Sequence, residues 1–486
     1  MTWIFQTGAT NGRGFMESPD NPMPKERLHA VLGPHGQEHL LAFWDRLDTE
    51  QRRSLAEQID RIDFELLRRL HADRDRRSNV HELIARAEPP PAIRLSSVAT
   101  AEQSDSRRRG AEAIRAGRIG AILVAGGQGT RLGFDRPKGM FPIGPLSGKS
   151  LFQIHVEKIV AAARRYDARI PLYLMTSPAT HRQAVEFFAA HERFGLPAED
   201  LLIFRQGTMP AVDAETGRVL LEDHGRIAAG PDGHGGMSAA LLRGGALDDI
   251  QRRGIQHLFY FQVDNPLVDI CGPEMIGHHL LADSELTTQV IAKRDPLERV
   301  GNVVQVDDRL FVIEYSDLPD EAANRRNPDG SLTIWAGSIA VHVIAAELLR
   351  RSAESADSLP FHVARKAVAH LDHSGRRVEP SEPNAVKFER FIFDLMPQAR
   401  NAIVVEVDRR LAFAPLKNAS GAEQDTPEMV RDQMAALHRD WLRRAGAEVD
   451  DEVEVEISPL YALDAEELVK KLPPGTRVTE PTYFHP

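Results

Sequence analysis

A single cysteine, Cys271, stands in the 486 residues. One thiol cannot build an internal disulfide framework or a cysteine-based zinc site, so it reads as a small buried side chain. No apolar run reaches the about 18 residues that a transmembrane helix needs. The opening segment MTWIFQTGATNGRGF lacks the basic stretch and apolar core of a secretory leader. Positive charge is in deficit as well: 60 Lys and Arg against 71 Asp and Glu leave a net charge of −11. A general polyanion binder carries the opposite excess, although a few local cations still suffice to hold a small anion. With 42% hydrophobic and 27% charged residues, the rest is the balance of a globular protein. At roughly 150 residues per domain, a cytoplasmic chain of roughly two to four domains is predicted, binding neither nucleic acid nor membrane.

Residues 1–115 are polar and helix-prone. Ile59, Ile62, Phe64, Leu66, Leu67 and Leu70 recur at roughly helical spacing, and Pro89-Pro90-Pro91 ends the region because three prolines cannot continue a helix. From Ile119 the texture changes to short apolar runs alternating with amphipathic stretches. Strands are predicted over 119–124, 170–176, 201–204, 257–263 and 287–292. Helices are predicted over 149–166, 179–194, 236–253 and 273–283, with Ser150 and Gln153 as a capping box for the first. Strand–helix alternation implies crossover connections, hence an α/β fold whose mainly parallel sheet is covered on both faces. Beyond Ile403 come shorter strands, a helix over 427–444 and a strand-like 452–457. The expected partition is an N-terminal helical region (1–115), a catalytic domain (116–400) and a small C-terminal domain (401–486).

The sharpest feature is Ala125-Gly126-Gly127-Gln128-Gly129-Thr130-Arg131-Leu132-Gly133, directly after the first of these strands. Glycines at such a turn let backbone N–H groups converge on an anion, and Arg131 adds a fork of donors suited to phosphate. Lys138 follows as a second cation. In an open parallel sheet this turn falls at the carboxyl end of a strand, where ligands bind. Three phosphate readings compete with a plain structural turn. A dinucleotide fold would need an acidic residue at the end of the next strand, which instead ends Met175-Thr176-Ser177. A Walker loop is approached by Gly144-Pro145-Leu146-Ser147-Gly148-Lys149-Ser150, but its first glycine is one residue too close. The third is a nucleotidyltransferase loop, in which glycines and a lysine hold a triphosphate.

These residues, with Pro137-Lys138-Gly139 and Lys149-Ser150-Leu151-Phe152-Gln153, resemble the signature of the UDP-N-acetylhexosamine pyrophosphorylases, within the wider UDP-sugar pyrophosphorylase superfamily. Further blocks recur in that family's order: Gln206-Gly207, Pro231-Asp232-Gly233-His234-Gly235-Gly236, Val263-Asp264-Asn265, Val300-Gly301, Glu314-Tyr315-Ser316, Leu359-Pro360-Phe361-His362, Lys387-Phe388-Glu389 and Pro415-Leu416-Lys417-Asn418-Ala419. The resemblance implies a glycosyltransferase-A-like Rossmannoid catalytic domain with a mixed, mainly parallel sheet. It also implies a reaction in which UTP and a sugar 1-phosphate give UDP-sugar and pyrophosphate, with N-acetylglucosamine 1-phosphate the favoured acceptor. Glucose 1-phosphate is the rival acceptor, and a nucleotide-binding protein without turnover is the further alternative.

That reaction brings two polyanions together, and two unit charges about 4 Å apart repel by about 4 kcal/mol at an effective dielectric near 20. Cations and in-line placement therefore carry the catalysis rather than a covalent nucleophile. The resemblance assigns Gly126, Gly127, Gly129, Thr130 and Arg131 to the triphosphate, and Lys138 to the departing pyrophosphate and the transition state. Lys417 and Lys387 would hold the sugar phosphate or neutralise the pentavalent charge. Gln206 and Gly233 resemble positions that read uracil. Asp264, ending an apolar strand, is the candidate ligand for Mg²⁺, which prefers carboxylate and phosphate oxygens. His234, Asn265, Glu314, Trp335 and Ser338 make up the expected sugar site. Departures from the family concentrate there: His234 replaces an asparagine, and Trp335-Ala336-Gly337-Ser338 replaces Asn-Ala-Gly-Asn. An indole offers a stacking face where amides would suit hydroxyl and N-acetyl groups. His278-His279 and His370 with His373 match no zinc spacing and read as structural. The expected partners are small-molecule substrates only, with the protein a monomer or a dimer.

Overall fold

The computed structural model describes residues 24–75, 80–94, 100–355 and 359–486. The opening segment read for a leader lies outside them. The chain divides into two compact units, and the larger holds 77–207, 231–362 and 389–486. Its apolar runs pair into one ten-stranded sheet: β1 (Ala92–Arg94), β2 (Ile119–Val124), β3 (Leu172–Thr176), β4 (Leu201–Arg205), β5 (His257–Gln262), β6 (Leu286–Ala292), β7 (Gly301–Val306), β8 (Arg309–Ile313), β9 (Ala336–Ala345) and β10 (Ala402–Glu406). The order is β1-β10-β6-β9-β5-β2-β3-β4, with β7 and β8 branching from β9. Pairing along this order is parallel except on the two sides of β9, which runs antiparallel to β5 and β6. This is a mixed, mainly parallel α/β sheet. One face buries Phe152, Val156 and Ile159 of the helix Leu151–Tyr166, and the other buries Met237, Leu241 and Ile250. Burial on both faces is why β2 and β3 read as unbroken apolar runs.

Several expected elements end earlier or break, each for a local reason. Ser150 caps its helix by accepting from the Gln153 N–H at 3.2 Å, but the Gln153 side chain donates to Glu157 at 2.9 Å, so the box is only half made. The predicted helix 236–253 is two helices, Met237–Arg243 and Ala246–Arg252, because Gly245 between them takes a left-handed φ of 70°. The helix after β3 stops at Ala190, and Glu192, Arg193 and Phe194 turn through positive φ. The chain does not divide at 401: β10 lies inside the large sheet, parallel to β6 and β1. After it, the helix Pro427–Arg444 packs Leu442 against Val455, Ile457 and Leu468 of a small terminal layer.

The smaller unit joins the described part of 1–76 to 208–230 and 363–388. Its long helical stretch is two helices, Thr49–Asp60 and Phe64–Ala72, each capped by an aspartate, Asp48 and Asp63. Gln37 brackets a distant turn, donating to the Gly217 carbonyl and accepting from the Val219 N–H. The described residues of 1–115 are therefore not one layer: 24–75 and those from 80 onward belong to different units.

Candidate active site

β2 and β5 are adjacent and parallel, so the glycine loop after Val124 and Asp264 after β5 emerge at the same carboxyl edge. The loop folds back on itself. Gly129 N–H donates to the Arg136 carbonyl (2.9 Å), and Lys138 N–H donates to the Gly127 carbonyl (3.1 Å). The three glycines differ in what surrounds them. A Cβ on Gly129 would meet the Phe134 carbonyl oxygen at 2.6 Å, and one on Gly126 would meet Gln206 Oε1 at 2.5 Å. A Cβ on Gly127 would meet nothing within 4 Å. The fold itself demands glycine at 129, where backbone is met; at 126 the contact is the tip of the Gln206 side chain, and at 127 only a guest would demand it. Thr130 and Arg131 stand exposed on the same turn.

Gln206 is buried, and its Nε2 donates to the Gly233 carbonyl at 3.3 Å. Gly233 has φ 82°, and a Cβ there would sit 2.2 Å from the Arg390 carbonyl oxygen. Gly126, Gln206 and Gly233 are thus contiguous. On the other flank, Lys138 Nζ lies 3.5 Å from Asp264 Oδ2, with side chains only 16% and 18% exposed. Leu416 N–H donates to the Asp264 carbonyl at 2.8 Å, which brings Lys417 alongside.

Beyond this pair opens a cavity of about 200 Å³ lined by His234, Asp264, Glu314, Ser338 and Lys417, all five expected from sequence. Lys417 Nζ stands 5.9 Å from the Phe413 ring centre. Burial, reinforced by Asp317, raises the pKa of Glu314 against the opposing pull of His362 and Lys417. His234 is neutral, its pKa pushed down to about 4 by burial. Its Nδ1 accepts the Ile392 N–H at 3.1 Å, so its proton sits on Nε2. A larger chamber of about 740 Å³ shares Arg299, Val300, Phe413, Pro415 and Lys417 with this cavity.

Three expected sugar residues are not part of this arrangement. Asn265 is 3% exposed, and its amide is turned to the backbone: Nδ2 donates to the Ala412 carbonyl, while Oδ1 accepts from the N–H groups of Leu267 and Ala414. It clamps the segment that delivers Lys417. Trp335 does not line the cavity; its ring lies 4.8 Å from the Arg94 guanidinium. Lys387 belongs to the smaller unit, beside Gly230. The sequence reading in turn passed over Gln262, Arg299 and His342, which do line the cavity. Gln262 lies two residues before Asp264, and His342 lies four after Ser338 on one strand, so strand periodicity carried a signal for both. β9 also bulges here: Val290 pairs Ser338 while Thr288 pairs His342, and Ala340 between them has φ 55°. A left-handed non-glycine residue inside a central strand is backbone strain lodged at a site wall.

The near-Walker turn is occupied from within. Leu146 and Ser147 N–H groups and the Ser147 hydroxyl all donate to the buried carboxylate of Glu456, at 2.6–2.8 Å. Lys149 pairs with Glu157 at 2.7 Å. This turn holds its own chain's anion, not a phosphate.

The family described as UTP–glucose-1-phosphate uridylyltransferase matches residues 64–451. The chain belongs to that family. Within it, the chain is 38% identical to the Saccharomyces cerevisiae UDP-N-acetylglucosamine pyrophosphorylase, covering 78% of this chain and 81% of the yeast protein. It is also 38% identical to a Xenopus tropicalis UDP-N-acetylhexosamine pyrophosphorylase-like protein 1, over 89% and 87% of the two chains. The crystal structure of the Trypanosoma brucei uridine diphosphate N-acetylglucosamine pyrophosphorylase, solved with an inhibitor, superposes with a TM-score of 0.80. That structure is 27% identical, with 95% of this chain and 99% of the other covered. Family membership favours the nucleotidyltransferase reading of the glycine loop over the dinucleotide and Walker readings.

Proposed function

We propose that this enzyme transfers a uridylyl group from UTP to a sugar 1-phosphate, N-acetylglucosamine 1-phosphate before glucose 1-phosphate, releasing pyrophosphate. The observation that carries this reading is the Lys138–Asp264 pair, set between the glycine loop and the Glu314–Ser338–Lys417 cavity. UTP would lie with its triphosphate over Gly127 and its base toward Gln206 and Gly233. Lys138 and Arg131 would gather the β and γ charge, and Lys417 would hold the incoming phosphate. The sugar phosphate oxygen attacks the α-phosphorus; the bond to the bridging oxygen breaks, and pyrophosphate leaves with that electron pair. No proton donor is needed for so weakly basic a leaving group, so positioning and charge carry the step.

Among the described residues no group of three or more His, Cys, Asp or Glu side chains is arranged to hold a metal. A lone carboxylate such as Asp264 nevertheless suits Mg²⁺, which commonly takes one or two carboxylates and completes its shell with phosphate oxygens and water. Bound there, Mg²⁺ would supply positive charge to the α-phosphate, and Lys138 would turn from Asp264 to the phosphates. In this reading the enzyme works in the cytoplasm on small molecules, as a monomer or a dimer; no helix among the described residues is long and apolar enough to cross a membrane. The test is pyrophosphate release. It should require UTP and a sugar 1-phosphate together, and release from UTP alone, or none with any sugar phosphate, would reject the proposal.

A further inference from the structure

His342 is 1% exposed, yet it lines the cavity beyond Asp264. Neither of its ring nitrogens has a hydrogen-bond partner among the described residues. It sits on β9, in register with Tyr260 of β5 and Thr288 of β6. Those neighbours fix the ring without satisfying it: the Tyr260 ring packs against it at 5.3 Å between centres, and the Thr288 hydroxyl is itself buried without a partner. Burial holds the imidazole uncharged, with its pKa lowered to about 3, and His234 adds to the effect. A buried polar group left unpaired by its own fold calls for an explanation. Here both unpaired atoms belong to a side chain in the wall of a cavity that Glu314, Ser338 and His234 also line.

We propose that His342 is a specificity-determining residue that hydrogen-bonds the sugar ring of the sugar 1-phosphate. The proposal rests on the uridylyl-transfer reading above. A neutral imidazole offers one donor and one acceptor. That pair matches a sugar hydroxyl or an acetamido group, each of which also both donates and accepts. Glu314, when ionised, only accepts, and Lys417 only donates, so His342 supplies the two-way contact that those charged side chains cannot. A site that pairs with a substrate polar group discriminates strongly against an analogue lacking it, because its own groups are then stranded. Neither composition nor the glycine loop bears on this residue; the register of β9 on β5 and β6 places it.

His342→Phe keeps a ring of similar shape and deletes both nitrogens; His342→Asn restores a donor and an acceptor. Initial rates with N-acetylglucosamine 1-phosphate varied at saturating UTP, and the reverse, separate the two KM values. For His342→Phe the KM for the sugar phosphate should rise about tenfold or more while that for UTP stays within about twofold, and His342→Asn should recover most of the loss. A purely structural histidine gives a different pattern. Its replacement by Phe would leave both KM values unchanged or move them together, and either result overturns the proposal, whatever kcat does. Wild-type protein that makes no UDP-sugar overturns the underlying reading, and this inference with it. Normal wild-type turnover with an indifferent His342→Phe overturns the inference alone.

Discussion

Lys138 and Asp264 neutralise each other across 3.5 Å in a largely screened corner. Either one removed leaves its partner uncompensated and, in the proposed reaction, deletes a charge from the place where phosphate charge would build. Opposite charges at about that distance interact by about 4 kcal/mol at an effective dielectric near 20. Lys138→Ala and Asp264→Ala are each expected to lower kcat by on the order of 10²–10³. The double variant should fall well short of the product of the two losses, because they act as one unit. Steady-state pyrophosphate release measures this, and wild-type rates in either single variant would remove that residue from the mechanism. Both residues were legible in the sequence, since each follows directly on an element that periodicity exposes: the glycine loop and an apolar strand. For Asn265 the sequence could not show where the amide is directed. A polar side chain beside Asp264 looks available until its partners are known, and its amide hydrogen-bonds the backbone of Ala412, Leu267 and Ala414. Trp335, expected at the sugar, has its indole beside Arg94 and does not line the cavity, a placement that local spacing cannot report.

At the scale of the loop, the glycines separate fold from function. Gly129 is hemmed by the carbonyls of Phe134 and Arg136, whereas Gly127 faces open space. Gly129→Ala should therefore lower the melting temperature by several degrees, as overpacking costs about 1–3 kcal/mol. Gly127→Ala should leave the melting temperature within about one degree yet weaken UTP binding about tenfold or more, because the added methyl stands where the triphosphate is to lie. Thermal unfolding with and without UTP distinguishes the two, and unimpaired UTP binding by Gly127→Ala would contradict the assignment. The loop itself was plain in the sequence. What filled the neighbouring near-Walker turn was not, since Glu456 arrives from 309 residues along the chain. Local spacing cannot report so distant a carboxylate. The same holds for β10, whose short apolar run resembled a new domain until it paired with β6.

Among the described residues of the larger unit, burial keeps several histidines neutral. Burial lowers His155, His234, His257 and His438 to about 4, and His279 and His342 to about 3. In the unfolded chain each titrates near 6.5. Between these values the unfolded state binds more protons than the folded one, so stability is full above pH of about 6.5 and falls as pH drops toward about 4. Urea midpoints should accordingly begin to decline near pH 6.5, before most carboxylates titrate; midpoints flat down to pH of about 5 would contradict this account. Ordered motifs across most of the chain gave away the sheet, the loop and the family. The division into units stayed hidden because 24–75 joins 208–230 and 363–388 through long-range contacts such as Gln37 on Val219. The central claim is that this molecule exchanges the outer phosphates of UTP for a sugar 1-phosphate. It is tested most directly by UDP-sugar formation from UTP over a panel of sugar 1-phosphates. N-acetylglucosamine 1-phosphate should be converted fastest, with glucose 1-phosphate behind it and other nucleoside triphosphates poor donors; no UDP-sugar from any member of the panel would contradict the claim.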